Sequence, residues 1–381
     1  MNLKDFNVEQ EVIACKNPIR LNWNVAIDIG FSSVKGMSPN KRFCFPSFVK
    51  KIEGNLTAID ENDIYYRDED GIFLIGDRAQ NLVRTDDTND TESFFSRNRY
   101  FTKEFLILAR TAVAIALMDN AERKKLPQVR LFVQTGLPAA YLKEDARKIK
   151  GTFTRAGSYS VRMGNGPWMK FENSLKVSDV AVMSQPAGTL NSIMIDDYGQ
   201  YHESKKKLLS QNILIADVGF GTFDPYGLVN REIVLQESIN NLGMKTVLET
   251  ASKYIYEEHG TDIRIPQMRK YMKDGYFKIV DIQNMTSKNV SLAPYIEKAC
   301  AEVAKQAASK LYEMSKYFSD YDILVVTGGT GAAWFPYIKD AFSGIESLEI
   351  LLGNDGCGVP VHYANVRGYY MSALLRERFN R

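Results

Sequence analysis

Apolar positions in this chain gather into short runs, and two of the runs end alike. Trp23 to Ile27 leads into Asp28-Ile29-Gly30-Phe31-Ser32-Ser33-Val34-Lys35, and Ile213 to Ala216 leads into Asp217-Val218-Gly219-Phe220-Gly221-Thr222-Phe223-Asp224. Each reads as a buried strand that ends in Asp and turns through Gly into a second strand. A third run, Ile323 to Val326, enters the glycine-rich turn Thr327-Gly328-Gly329-Thr330-Gly331-Ala332 after a helical stretch from about Pro294 to Phe318. Between these landmarks the pattern predicts a helix over about Thr102 to Lys125, then a strand over Val129 to Thr135 and another helix. A hairpin-like stretch follows around Gly157 to Phe171, and a strand over Val177 to Met183 delivers Gln185. Pro186 to Ile195 reads as helix and 196–211 as a loop. Beyond the second turn come a strand over Val229 to Leu235, a helix over about Met244 to Glu258 and a closing helix from Gly368 to Phe379. Strands alternating with helices in two halves imply an α/β protein whose mixed sheet, covered on both faces, occurs twice.

The repeated turn suggests chemistry. Taken alone, an Asp-x-Gly corner is equally an ordinary hairpin turn. Two copies with matched flanks can face each other across a cleft and hold one polyphosphate. Gly30, Gly219 and Gly221 let the backbone approach a ligand, and successive amides in such corners bind anions. Ser32, Ser33 and Thr222 add hydroxyl donors, and Lys35 adds a cation for a β- or γ-phosphate oxygen. Asp28 and Asp217 would repel phosphate unless a divalent cation intervened, so they imply Mg²⁺ held through its waters. The Gly328-Gly329-Thr330 turn offers bare backbone to a flat ring or a ribose. Neither a Walker-type phosphate loop nor a G-x-G-x-x-G fingerprint occurs, so nucleotide binding must use another geometry.

Composition narrows the field. At 381 residues, with 45% hydrophobic and 25% charged positions, the chain is an ordinary globular protein of two-domain size. Its net charge of +2 gives no nucleic-acid-coating face. The short basic runs Arg123-Lys124-Lys125 and Lys205-Lys206-Lys207 read as a helix end and a solvated loop, or as small binding patches. Cys15, Cys44, Cys300 and Cys357 show no pairing pattern, which points to a reduced, cytoplasmic setting. His202, His259 and His362 lie far apart and suggest no zinc site. The apolar helix Phe105 to Met118 contains Arg110 and is too short to span a bilayer, and the first 22 residues do not resemble a signal peptide.

Two Asp-Gly hairpins followed by a late Thr-Gly-Gly turn resemble the signature of the actin, Hsp70 and sugar-kinase superfamily. Phe45-Pro46-Ser47-Phe48 is similar to the segment after the first hairpin in actins, and Phe73-Leu74-Ile75-Gly76-Asp77-Arg78-Ala79 to the Val-Gly-Asp-x-Ala stretch of actins and their plasmid-encoded relatives. Val133-Gln134-Thr135-Gly136-Leu137-Pro138, Val182-Met183-Ser184-Gln185-Pro186-Ala187-Gly188 and Ala364-Asn365-Val366-Arg367-Gly368-Tyr369-Tyr370 resemble the ParM group of plasmid-segregating actins. The likeness covers nearly the whole chain from about residue 23.

The resemblance implies a two-lobed actin-like fold, duplicated ribonuclease H-like domains with a nucleotide cleft between them. It divides the chain into an extension (1–22), domain I (23–212, outer subdomain about 45–100) and domain II (213–381, outer subdomain about 260–291). It implies that Gly30, Phe31, Ser32, Ser33, Lys35, Gly219, Phe220, Gly221, Thr222, Gly243, Gly328, Gly329 and Thr330 bind nucleotide, with Asp28 and Asp217 at the metal. Gly243 either presents a helix N-terminus to phosphate or is a simple turn glycine. Gln185 stands where the group places a polar catalytic residue; Glu is common there, and a Gln can align water but not act as a strong base. Asp217 either organises Mg²⁺ water or serves as the base. The implied function is a filament-forming ATPase or GTPase that segregates plasmid DNA. Its partners would be further copies of itself and a ParR-like adaptor on a centromere-like site, with no direct nucleic acid and no membrane. The rivals are a sugar or metabolite kinase of the same superfamily and an MreB-like cell-shape protein; a chaperone would need a peptide-binding domain for which no residues remain.

Overall fold

The computed structural model describes residues 9–54, 60–82, 97–118, 129–281 and 283–379. The basic run at 123–125 and residues 1–8 of the predicted extension lie outside them. The described chain forms two units, 9–209 with 353–379, and 210–352.

In the first unit the strand Asn22–Ile29 is the pivot. Its odd positions Trp23, Val25, Ile27 and Ile29 join the main apolar core with Phe105, Ile107 and Ala112 of the helix Lys103–Leu117. On the opposite face, Asn24 Nδ2 donates to Glu377 Oε1 of the helix Ala364–Phe379 at 3.0 Å. Because helices cover both faces, the strand reads as near-continuous burial rather than alternation. Asn22–Ile29 pairs antiparallel with Ser33–Met37 and parallel with Arg130–Leu137. The sheet continues to Lys41–Pro46 and Glu11–Ala14 on one side and to Val180–Ser184 on the other. Part of the expected extension is therefore an edge strand, with Glu11 opposite Cys44. A second, five-stranded antiparallel sheet joins Val49–Ile52, Ile64–Asp68 and Gly71–Ile75 to Ser158–Met163 and Met169–Glu172. Arg110, the charge inside an apolar helix, is buried because its guanidinium donates to Tyr66 Oη at 3.1 Å and to the Ala156 carbonyl at 3.0 Å.

The second unit repeats the pivot. Ile213–Val218, fully buried, pairs antiparallel with Thr222–Val229 and parallel with Ile323–Thr327. Glu232–Gln236 and Glu349–Leu352 form the edges. Residues 260–291, expected to be a small polar subdomain, hold the helix Ile265–Asp274 and the hairpin of Tyr276–Asp281 with Thr286–Ser291. The long helix ends earlier than expected, at Ala293–Met314. Lys316, Tyr317 and Phe318 follow it in left-handed conformation, with φ of 51°, 63° and 59°.

The closing helix, expected within 213–381, packs as Ala364–Phe379 on Asn22–Ile29 and on the helix Gln185–Met194, and lies in the first unit. Gly188 and Gly368 make that helix crossing possible: a Cβ built on Gly368 would lie 1.6 Å from the Gly188 carbonyl oxygen.

Candidate functional site

Both repeated turns close in the same way. The Gly30 amide donates to the Ser33 carbonyl at 3.0 Å, and the Gly219 amide to the Thr222 carbonyl at 2.9 Å. A Cβ on either glycine would press on that carbonyl, at 3.0 and 3.1 Å. A tight approach of backbone to backbone thus accounts for glycine at both corners.

At the first corner, Asp28 lies opposite Lys35 in the ladder, and Lys35 Nζ stands 4.0 Å from Asp28 Oδ2. Both side chains are buried. Gln185, the first residue of its helix, donates from Nε2 to Asp28 Oδ1 at 3.2 Å. Two predicted site residues far apart in sequence therefore meet. The Phe-Pro-Ser segment seats on the same turn: Ser47 Oγ donates to the Gly30 carbonyl at 2.8 Å and the Ser47 amide to the Ser32 carbonyl at 3.0 Å. The buried Ser33 hydroxyl stands beside the Cys44 thiol.

At the second corner, Asp217 lies opposite Asp224 across the hairpin and beside Thr327 of the parallel strand. The glycine-rich turn rests on this corner. The Thr330 amide donates to the Val218 carbonyl at 3.0 Å and Thr330 Oγ1 to the Gly219 carbonyl at 3.3 Å. Gly328 adopts φ +93°, and a Cβ there would come within 2.3 Å of Asp217 Oδ1. Gly243 joins the same cluster, but the helix it precedes spends its first amides on the hairpin. Met244 N donates to the Gly219 carbonyl at 3.2 Å and Lys245 N to the Phe220 carbonyl at 2.7 Å. Those amides are not open to an anion, and a Cβ on Gly243 would strike the Phe220 carbonyl oxygen at 2.6 Å. Gly243 is here a packing glycine. Gly30, Phe31, Ser32, Ser33, Lys35, Asp28 and Gln185 thus gather in one unit, and Asp217, Gly219, Phe220, Gly221, Thr222, Gly243, Gly328, Gly329 and Thr330 in the other.

Asp224 was not singled out from sequence. Its carboxyl is buried, accepts from Thr222 Oγ1 at 2.7 Å, and stands beside the Ser238 hydroxyl without hydrogen-bond geometry. Asp224 Oδ1 and Ser238 Oγ both lack partners among the described residues. Burial pushes the Asp224 carboxyl up to about 6, against the pull of the two hydroxyls. The available signal was the alternation Thr222-Phe223-Asp224, which puts Asp224 on the face of Asp217 once the register is known. Arg99 was missed too: its Nη2 donates to the Ile29 carbonyl, one residue before Gly30.

These features fit a magnesium–nucleotide ligand. Close-packed glycine corners leave no side chain to obstruct phosphate, and the Ser33 hydroxyl and Asp224 carboxyl are buried polar groups beside them. Among the described residues no group of three or more His, Cys, Asp or Glu could hold a metal by itself. Among them, too, no helix is long and apolar enough to cross a membrane.

Comparison with known proteins agrees in fold. Residues 26–188 match the family described as actin like proteins N terminal domain. No curated protein matches the sequence. The fold superposes on a 15-stranded ParM filament from Clostridium botulinum with TM-score 0.67 and 17% identity, over 93% of this chain and 100% of that one. It superposes on the apo pSK41 ParM protein with TM-score 0.62 and 19% identity, over 95% and 100%. Against Ta0583, an archaeal actin homologue in complex with ADP, the TM-score is 0.63 at 14% identity, over 92% and 99%.

Proposed function

With an actin-like fold and an actin-like N-terminal domain as its premise, we propose that this protein binds and hydrolyses ATP or GTP, polymerises with further copies of itself, and moves plasmid DNA in the cytoplasm. The observation that carries the reading is that each corner gathers a second motif onto its own aspartate: Gln185 onto Asp28, and the Gly328–Thr330 turn onto Asp217. Lys35, Ser32, Ser33 and Thr222, with the corner amides around Gly30, Gly219 and Gly221, would bind and orient the phosphates. The open backbone of Gly328, Gly329 and Thr330 would take the nucleoside. Asp28 and Asp217 would hold Mg²⁺ through its waters, and that ion supplies neutralisation of phosphate charge when bound. Gln185, fixed by Asp28, would align the attacking water by donating and accepting hydrogen bonds. Such hydrolysis is slow, which suits a timer on a polymer.

Self-assembly draws support from the filament among the superposed structures; a head-to-tail contact that does not close produces one. A net charge of +2 favours DNA contact through a ParR-like adaptor rather than through this chain. Sedimentation with ATP, GTP and non-hydrolysable analogues tests the reading. Pelleting that requires nucleotide and reverses on hydrolysis is the expected result. Binding without pelleting would overturn the filament and leave a nucleotide switch.

A further inference from the structure

Each corner carries a phenylalanine that phosphate chemistry does not explain. An anion-binding turn uses amides and hydroxyls, and the side chains of Phe31 and Phe220 offer neither. Both rings nevertheless carry the same partner. Arg99 Cζ lies 4.1 Å from the Phe31 ring centroid, closer than to those of Phe105 at 5.3 Å and Tyr100 at 5.7 Å, and Arg269 Cζ lies 5.1 Å from that of Phe220. The arginines arrive from unlike elements, Arg99 from the 3₁₀ turn Arg97–Phe101 and Arg269 from the helix Ile265–Asp274. Two different segments thus bring about the same pairing, one within each unit.

A guanidinium seated over a ring has its planar set of N–H groups held in one orientation, a fork that matches carboxylate or phosphate oxygens. At the first corner the fork is partly unused. Arg99 Nη2 donates to the Ile29 carbonyl, and Nε has no partner among the described residues. No ion pair to Arg99 exists among them; burial lowers its pKa, opposed first by Tyr100, which also hydrogen-bonds the side chain, and then by Asp28. Its backbone is fixed by the helix it precedes, with the Thr102 amide and hydroxyl donating to the Arg99 carbonyl at 3.0 and 2.9 Å. A half-buried cation is therefore built against a turn whose lysine already faces Asp28.

We propose that Arg99, oriented by Phe31, reads a phosphate group at the first corner and that Arg269, oriented by Phe220, is its counterpart at the second. Phe31 and Phe220 are then platforms for arginine rather than direct nucleotide contacts. This rests on the nucleotide-binding reading above. The test is calorimetric titration of the full-length protein and of Arg99→Gln, Arg99→Lys, Phe31→Leu and Arg269→Gln with Mg·ATP and with adenosine, or with the guanine pair if the wild type prefers it. Arg99→Gln should weaken ATP roughly tenfold or more while leaving adenosine within about twofold, because only the former has phosphate to read. Arg99→Lys and Phe31→Leu should fall between, one keeping charge without the fork and the other the fork without its platform; Arg269→Gln should behave like Arg99→Gln. Equal losses for ATP and adenosine, or none, would make the pairs structural braces and overturn the proposal. If Arg99→Gln does not fold, an unchanged ATP-to-adenosine ratio in Phe31→Leu overturns it alone. A wild type that binds no nucleotide refutes the underlying reading instead, a separate result.

Discussion

The two corners share a backbone but differ at one ladder position. Opposite Asp28 stands Lys35; opposite Asp217 stands Asp224. Aspartates and glycines were legible because they lie within a few residues of each other. Asp224 and Arg99 were not, since their roles depend on strand register and on an approach from a distant segment. Gln185 was legible only through resemblance, and its bond to Asp28 gives the residue a physical place. Gln185→Ala should slow hydrolysis about 10- to 100-fold while nucleotide affinity stays near wild type, as phosphate release under single turnover would show. Unchanged hydrolysis would shift the water-aligning role to another group, with Asp224 first in line. His362 supplies a pH dependence. Burial first, and then the charges of Lys35 and Arg42, lower its pKa from 6.5 to about 3. The folded state thus keeps His362 neutral while the unfolded chain protonates it below 6.5. Its contribution is complete above that value and is lost as pH falls toward 3, the loss reaching about 2 kcal/mol at pH 5. His362→Phe should therefore shrink the drop in Tm between pH 7 and pH 5, read by thermal denaturation without nucleotide.

Among the elements, apolar runs marked the pivot strands well, because burial on both faces leaves little ambiguity. The five-stranded sheet was harder. It joins 49–75 to 158–172, and alternation within each strand says nothing about which distant strand lies beside it. The edge strand Glu11–Ala14 was hidden in a polar extension for the same reason. Helix contacts depend on single glycines that composition does not reveal. Gly368→Ala would drive a methyl into the Gly188 carbonyl and force the helices Gln185–Met194 and Ala364–Phe379 apart. The expected loss is about 3 kcal/mol, measurable as a lower urea midpoint. A wild-type midpoint would mean that this crossing is loose.

For the whole molecule, the repeated α/β architecture followed from the pattern, but the chain's path did not. The pattern predicts a closing helix without showing what it packs against; the partners of Ala364–Phe379 are Asn22–Ile29 and Gln185–Met194, in the first unit. Truncation after Leu352 should consequently spare every predicted residue of the second corner yet damage the first. The expected product is aggregation-prone, with reduced helicity and no cooperative melting by circular dichroism. A soluble, cooperatively melting fragment would refute this.

That return path has a consequence during synthesis. The first unit cannot acquire its last layer until 210–352 have been translated, so its sheet waits, partly uncovered, for on the order of ten seconds at ordinary ribosome speeds. A nascent chain stalled just before residue 364 should engage holdase chaperones more strongly than one released past 379.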